Sequence, residues 1–276
     1  MQSRRAMKAV LLVMLGLGVS AFGSCGATEP TWTLAWSDEF DGPAGGAPNP
    51  ANWKADIGTG IGGWGNGQWE YDRAENAALD GDGHLVITSR LETFQGKPYT
   101  SARLKTKGLF THTYGRIEAR MKLASGQGLW PAFWMLGNDI DTSGWPACGE
   151  IDIMEASGLE PQRVSGSLHG PGYSGGGAIT GRRDLQNGAT FDQDFHVFGL
   201  EWTPDSISWV LDGIIWQVAV PMELPKGATW VFDHPFYLLL NVAVGGNYVG
   251  SPDPAAFPPE GLKTVVDYVR VYESAP

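Results

Sequence analysis

Three acidic residues lie within six positions of one another: Glu150, Asp152 and Glu155. Isoleucines alternate with the first two acids, so in a β-strand Glu150 and Asp152 share one face and the isoleucines share the other. Strict alternation would place Glu155 on the apolar face. A β-bulge near Met154 adds one residue and returns Glu155 to the acidic face, and bulges are favoured beside active sites because they redirect side chains. The segment therefore predicts three carboxylates in a row.

Two carboxyl groups on one face can cleave a glycosidic bond by double displacement. One carboxylate attacks the anomeric carbon and a second, still protonated, donates to the leaving oxygen, which requires a separation of about 5 to 5.5 Å. In this interpretation Glu150 and Glu155 bracket the bond, and Asp152 between them keeps their pKa values apart. The alternatives are a hydrated strand face or a cation site. Three like charges on one strand face repel one another, and a protein tolerates this more readily where function requires it. This repulsion and the nearby aromatic residues favour the catalytic interpretation.

The elements that must position these acids are predicted to be strands. Residues 114–123 alternate between apolar and charged side chains, and residues 206–220 form a hairpin pattern with Asp212-Gly213 at its turn. Further strands are predicted at residues 84–89, 151–155, 196–202, 236–244 and 265–272. Evenly spaced strands without intervening helices predict an all-β, antiparallel β-sandwich.

The composition indicates one turn-rich domain. The chain has 276 residues with 39 Gly, 18 Pro and 12 Trp, and its formal charge is -11. This negative charge argues against nucleic acid and anionic membranes as partners. We expect a single core over residues 31–276 and a monomer, since the Pro-rich stretch at residues 251–259 reads as a loop rather than a linker to a second module.

The N-terminal 24 residues have the pattern of an export signal, with a basic start, an apolar run over residues 9–19 and small residues after it. That run is too short for a transmembrane helix. The stretch at residues 22–25, FGSC, resembles a bacterial lipoprotein cleavage box, in which Cys25 becomes the lipidated first residue. Ordinary cleavage nearby is the alternative, and a disulfide between Cys25 and Cys148 is a third. The protein is therefore expected to be exported: secreted, periplasmic or lipid-anchored to the bacterial envelope.

The acidic segment with its lead-in, residues 144–155 (GWPACGEIDIME), resembles the signature of glycoside hydrolase family sixteen in its laminarinase, or endo-1,3-β-glucanase, branch. Similar matches cover nearly all of the mature chain, at residues 36–40, 114–120, 128–136 and 266–272. The resemblance implies a concanavalin-like jelly-roll of two curved antiparallel sheets with a substrate cleft on the concave face. It also implies retaining endo-hydrolysis of internal β-1,3 links in laminarin-type glucan, with Glu150 as nucleophile, Asp152 as its assistant and Glu155 as acid/base.

The resemblance implies substrate contacts as well. Sugar rings present apolar faces and a hydroxyl rim, so a glucan cleft needs tryptophan platforms beside hydrogen-bonding groups. The candidate substrate-binding residues are Asn66, Arg103, Trp130, Trp134, His169 and Asn247. Core packing is the alternative for the tryptophans, and a structural role is the alternative for Arg103 and His169.

No cofactor is expected for catalysis, but the resemblance implies a structural calcium ion on the convex side. Its candidate ligands are Glu39, the Gly83 carbonyl and Asp267, because hard cations prefer such oxygen atoms. The alternative for each of the two carboxylates is an ordinary surface acid.

Two other functions stay open. A glucan-binding lectin on the same fold would bind without cleavage, although the presence of all three acids argues against it. An agarase- or carrageenase-like galactanase would share the bulged acid spacing, whereas the Trp-Pro-Ala-Cys lead-in favours the laminarinase branch. At residues 65–71 (GNGQWEY) the chain departs from that branch, which more often has Asn-Asn-Glu, and this affects the non-reducing-end subsites.

Overall fold

Seventeen β-strands run through residues 31–274, the part of the chain that the computed structural model describes. The strands are β1 Trp32–Asp38, β2 Lys54–Asp56, β3 Glu70–Asp72, β4 Ala77–Leu79, β5 Leu85–Phe94, β6 Lys97–Ser101, β7 Arg103–Lys105, β8 Gly115–Lys122, β9 Leu129–Gly137, β10 Glu150–Ala156, β11 Arg163–His169, β12 Ile179–Asp184, β13 His196–Thr203, β14 Ser206–Leu211, β15 Ile214–Ala219, β16 Phe236–Val244 and β17 Leu262–Ser274. The expected export signal and Cys25 lie outside the described residues.

Helical structure between these strands is confined to single turns. They are α1 Ile140–Ser143, a π-helical turn at Gly63–Gly67, and 3-10 turns at Ala74–Asn76, Gly175–Gly177, Pro221–Glu223 and Pro254–Ala256. Across residues 31–274 we find no helix with the length and apolar character needed to cross a bilayer.

The strands form two sheets. The larger has the order β15-β14-β13-β8-β17-β5-β6-β3, with β1 also paired to β17 and β4 to β5. The smaller has the order β12-β11-β10-β9-β16-β7-β2. Among the described strands the pairs are antiparallel, apart from β3 with β6. The predicted all-β antiparallel sandwich is therefore confirmed.

Apolar side chains from both sheets meet in one core. Ile151 and Ile153 contribute to it from β10, and Ile117 and Val269 contribute from the larger sheet; each is at most 3% exposed. Burying each such side chain stabilises the fold by about 1.5 to 3 kcal/mol. Because the isoleucines of β10 face this core, the acids between them face away from it.

Local sequence signals specify several elements closely. The predicted hairpin is β14 with β15, and its turn residues Asp212 and Gly213 have φ of 51° and 79°, as a two-residue turn between twisted strands requires. The strand predicted at residues 236–244 is β16 with the same bounds. The strands β9 and β11, which flank β10 on either side, were not among those predicted.

Candidate active site

A bulge in β10 brings the three acids onto one face. The register changes between Asp152 and Met154 against β9, and between Asp152 and Glu155 against β11, so Ile153 is unpaired in both ladders. The partners of Glu150, Asp152 and Glu155 are spaced two residues apart on each neighbour: Leu136, Trp134 and Ala132 on β9, and His169, Ser167 and Ser165 on β11. Residues spaced by two point to the same side of a strand, so the predicted bulge is confirmed.

The acids line a cleft of about 840 Å³ on the face of the smaller sheet that points away from the core. The lining includes all nine residues predicted to act in catalysis or substrate binding: Glu150, Asp152, Glu155, Asn66, Arg103, Trp130, Trp134, His169 and Asn247. The alternative of core packing for the two tryptophans is thereby excluded, since both rings contribute to the cleft surface.

Glu150 receives more stabilising contacts than the other two acids. The Trp145 indole N–H donates to its Oε2 at 2.9 Å, and the Nε2 atom of His169 lies 3.7 Å from its Oε1. Burial and the neighbouring Asp152 raise the pKa of Glu150 to about 8, while His169, Trp145 and Arg103 act to lower it. These three groups favour the charged form of Glu150 and oppose the effect of burial.

His169 links the first two acids, and its tautomer follows from its partners. The Gly175 N–H donates to Nδ1 at 3.1 Å, so that nitrogen is an acceptor and the proton of the neutral ring is on Nε2. Nε2 then donates to Oδ2 of Asp152 at 3.1 Å. From the core side, the Trp209 indole donates to the Asp152 backbone carbonyl at 2.8 Å. Burial raises the pKa of Asp152 to about 7.

Glu155 is the acid best suited to hold a proton. Its Oε1 accepts a hydrogen bond of 2.9 Å from the Trp130 indole. Burial raises the pKa of Glu155 well above its ordinary value, and the charges of Asp152 and Glu150 raise it further. Three neighbouring acids cannot all ionise together at low cost, and this repulsion favours a proton on Glu155.

The same residues offer one possible metal-binding group. Ligand atoms of Glu150, Asp152 and His169 lie within 4.8 Å of one another. A cation bound there would have to displace the Nε2 proton that His169 donates to Asp152. The hydrogen-bonded arrangement therefore fits an acid constellation better than a cation site.

Further polar contacts extend the cleft away from β10. Trp134 donates from its indole to Oδ1 of Asn241 at 2.7 Å, and Arg103 donates from Nε to Oδ2 of Asp56 at 3.2 Å. The backbone N–H of Asn247 donates to the Asn66 carbonyl at 2.8 Å, which joins the two loops that carry these predicted residues.

Several lining residues were not predicted from the sequence: Trp64, Trp145, Asn241, Tyr248, Ser165, Ser167 and Arg182. Trp145 stands five positions before Glu150 and is 49% exposed. Because Trp145 lies in the segment that leads into the acids, the sequence could have indicated its contact with Glu150. The others reach the cleft through long-range strand pairing or, for Trp64 and Tyr248, through the packing of loops, and no local pattern exists for either.

The predicted calcium ligands are engaged by arginines. Arg270 donates to both oxygens of Glu39, at 3.0 and 2.7 Å, and Arg120 donates to Oδ2 of Asp267. Gly83 lies in the turn before β5. A guanidinium at each carboxylate supplies the positive charge that a cation would bring, so this set does not fit a calcium site in this arrangement.

Comparison with known proteins places the chain in a family. The family model described as glycosyl hydrolases family 16 matches residues 65–261. The β-glucanase of Rhodothermus marinus is 42% identical over 284 aligned positions, which cover 96% of this chain and 94% of that protein.

Solved structures agree with both the sequence match and the two-sheet fold. The laminarinase catalytic domain from Thermotoga maritima MSB8 has a TM-score of 0.83 and 47% identity, covering 89% of this chain and 99% of that one. The endo-β-1,3-glucanase from Pyrococcus furiosus has a TM-score of 0.84 and 46% identity, with 89% and 96% coverage. The sandwich is thus the jelly-roll of these enzymes, and the chain belongs to glycosyl hydrolase family 16.

Proposed function

We propose that this protein is a retaining endo-1,3-β-glucanase that hydrolyses internal links of laminarin-type glucan. The observation that carries the proposal is the alignment of Glu150, Asp152 and Glu155 on one face of β10, inside the cleft. The names of its relatives, a β-glucanase and a laminarinase among them, support this substrate class.

In the proposed reaction Glu150 is the nucleophile and Glu155 the acid/base. A carboxylate oxygen of Glu150 attacks the anomeric carbon, the bond to the leaving sugar breaks, and the proton of Glu155 passes to the leaving oxygen. Water then attacks the same carbon and gives its proton to Glu155, and the ester bond to Glu150 breaks. Two inversions at one carbon retain its configuration, and no cofactor is required.

Asp152 and His169 would maintain the protonation states that this sequence needs. The hydrogen bond from His169 favours a negative charge on Asp152, and that charge raises the pKa of Glu155. Glu155 therefore keeps its proton until the leaving group takes it. His169 acts here as a substrate-facing and orienting group, with no proton transfer of its own.

The lining on both sides of β10 suits attack within a chain. It runs from Arg182 and Thr180 on β12, two strands away on one side, to Arg103 on β7, three strands away on the other. Trp130 and Trp134 provide aromatic surfaces beside the acids for the apolar faces of sugar rings. A polymer can therefore contact the protein on both sides of the bond to be cleaved.

The test is reducing-sugar release from laminarin, lichenan and agarose, with Glu150→Gln as the inactive control. We expect the fastest release from laminarin. Binding of folded protein to laminarin without any products would favour the glucan-binding lectin instead. Faster release from agarose than from laminarin would favour a galactanase.

The proposal also covers the cellular location of the enzyme and its oligomeric state. The pattern of residues 1–24 supports export, with a secreted, periplasmic or lipid-anchored product, and the acidic composition supports a monomer acting on a neutral polymer. Globomycin-sensitive processing and palmitate labelling, lost in Cys25→Ser, would support the lipid anchor. A structural calcium ion is not included, because arginines hold Glu39 and Asp267.

A further inference from the structure

Arg103 is held between two indole rings at the edge of the cleft. Its guanidinium carbon lies 4.7 Å from the centroid of the Trp134 ring and 4.8 Å from that of Trp64. The side chain is also paired with Asp56, and the residue is only 9% exposed. A guanidinium packed on two aromatic faces and bonded to a carboxylate has little freedom to move. Trp134, Arg103 and Trp64 thus form a continuous wall, which we call the Arg103 wall.

The Trp64 part of this wall belongs to a segment with little conformational preference of its own. Six of the ten residues from 58 to 67 are glycine. Trp64 has φ of 52°, a left-handed conformation that L side chains disfavour. At Gly60 a Cβ atom would lie 2.4 Å from Cε3 of Trp64, so only glycine leaves room for the indole there. The position of Trp64 therefore depends on contacts from outside the segment.

Asp72 supplies those contacts twice. Its backbone N–H and carbonyl pair with the carbonyl and N–H of Gly58, at 2.8 and 2.9 Å, where the glycine-rich segment begins. Its Oδ2 accepts a hydrogen bond of 2.8 Å from the Trp64 indole N–H. Asp72 is 1% exposed, and its Oδ1 is buried without a hydrogen-bond partner among the described residues. A buried carboxylate with one such partner is costly, which suggests that the bond to Trp64 has a function.

The Arg103 wall lies several strands away from the three acids. From β10, the strand β7 is reached through β9 and β16, which is three strand spacings or roughly 14 Å. At that distance the wall borders sugar units other than the one attacked.

We propose that Asp72 is a positioning residue that holds the Trp64 indole against Arg103 and so completes the wall for distal sugar units. This inference rests on the proposed glucanase function. Asp72 itself does not line the cleft, so it acts through Trp64. Its loss would affect substrates long enough to reach the wall and spare the cleavage step itself.

The test compares Asp72→Ala, Asp72→Asn and Trp64→Phe with the wild type on laminarin and on the shortest oligosaccharide that the wild type cleaves. We expect Asp72→Ala to raise KM for laminarin about tenfold and to change KM for the short substrate little. Asp72→Asn keeps an oxygen acceptor for the indole and should restore most of the loss. Trp64→Phe keeps the ring but lacks the N–H, and should resemble Asp72→Ala without adding to it in the double variant.

A matched control is Asp38→Ala. Asp38 is also buried and accepts an indole N–H, from Trp53 at 2.9 Å, but neither residue lines the cleft. Its loss should lower the melting temperature without any chain-length effect on KM. Calorimetric binding of a long oligosaccharide to Glu150→Gln, with and without Asp72→Ala, gives the same comparison in the absence of turnover.

Equal KM values for Asp72→Ala and wild type at every chain length would overturn the inference. So would a double variant in which the effects of Asp72→Ala and Trp64→Phe on KM for laminarin are additive. A wild type that cleaves a polymer other than laminarin would instead count against the proposed substrate. The Asp72 comparison is then made with long and short fragments of the polymer that is cleaved, so the two failures are distinguishable.

Discussion

The Trp145 indole N–H lies 2.9 Å from Oε2 of Glu150 and donates a hydrogen bond to it. This bond lowers the pKa of Glu150 against the effect of burial, which raises it. The exposed indole therefore does more than offer a surface to sugar rings, because it favours the charged form of the proposed nucleophile.

Replacing Trp145 by phenylalanine keeps a ring and removes the N–H donor. The pKa of Glu150 should rise, so the acidic limb of the pH profile of kcat/KM moves to higher pH. We expect a loss of at most about tenfold at the optimum, since water can partly replace the donor at an exposed site. An unchanged acidic limb in Trp145→Phe would show that this hydrogen bond does not lower the pKa of Glu150.

Asp152→Asn should move the whole pH profile to lower pH. The Asp152 charge raises the pKa of both Glu150 and Glu155, so removing it lowers both values. Glu150 then ionises at lower pH, and Glu155 also loses its proton at lower pH. The measurement is kcat/KM on laminarin across pH for both proteins, and limbs that move apart or toward higher pH would contradict this assignment.

Glu155→Gln should lower kcat by about 10² to 10⁴-fold, the usual contribution of a general acid/base. Glu150→Gln should lower it at least as far, because without the nucleophile no glycosyl ester forms. Glu160→Gln, an acid in the loop between β10 and β11 that does not line the cleft, is the control. Circular dichroism should show the same fold in all three, and substantial turnover in either cleft variant would remove the role proposed for that residue.

The buried acid Glu70 should make the fold less stable at high pH. Burial and the nearby Asp72 raise its pKa to about 8 from an ordinary value near 4.5. The folded state thus binds more protons than the unfolded state between these values, and stability is lost as pH rises through about 8.

Glu70→Gln stays neutral and can still accept the Val244 N–H bond that Oε2 accepts at 2.8 Å. In chemical denaturation at pH 9 the free energy of unfolding of Glu70→Gln should exceed that of the wild type by at least about 1 kcal/mol, since one pKa unit corresponds to about 1.4 kcal/mol. At pH 5 the two should agree closely. Exposed Glu75→Gln serves as the control, and a Glu70→Gln difference that does not depend on pH would contradict the shifted pKa.

Local chemistry explains why much of the site was predictable. The acids and isoleucines of β10 could occupy opposite faces only with a bulge, and the Asp212-Gly213 pair permits positive φ at both turn positions. In each case a few neighbouring residues determine the outcome, so a single sequence suffices to predict it.

Other features depend on partners that are distant in sequence. Gly166 in β11 resembles a strand breaker, yet it is required there because a Cβ atom would lie 2.3 Å from Cδ1 of Trp209. The ion pair between Glu39 and Arg270 joins residues 231 positions apart, and no local signal separates it from a calcium site. Likewise, the Trp64–Arg103 contact depends on how the glycine-rich segment packs against β7.

Trapping the covalent intermediate tests the central claim most directly. A 2-deoxy-2-fluoro β-glucan oligosaccharide with an activated leaving group should form the glycosyl ester quickly and hydrolyse slowly, because fluorine destabilises the oxocarbenium-like transition states. Peptide mass spectrometry is predicted to find one added glycosyl group on Glu150 in the wild type and none in Glu150→Gln. A glycosyl group on Glu155, or turnover of the reagent to a product of inverted configuration with no ester on Glu150, would contradict the account.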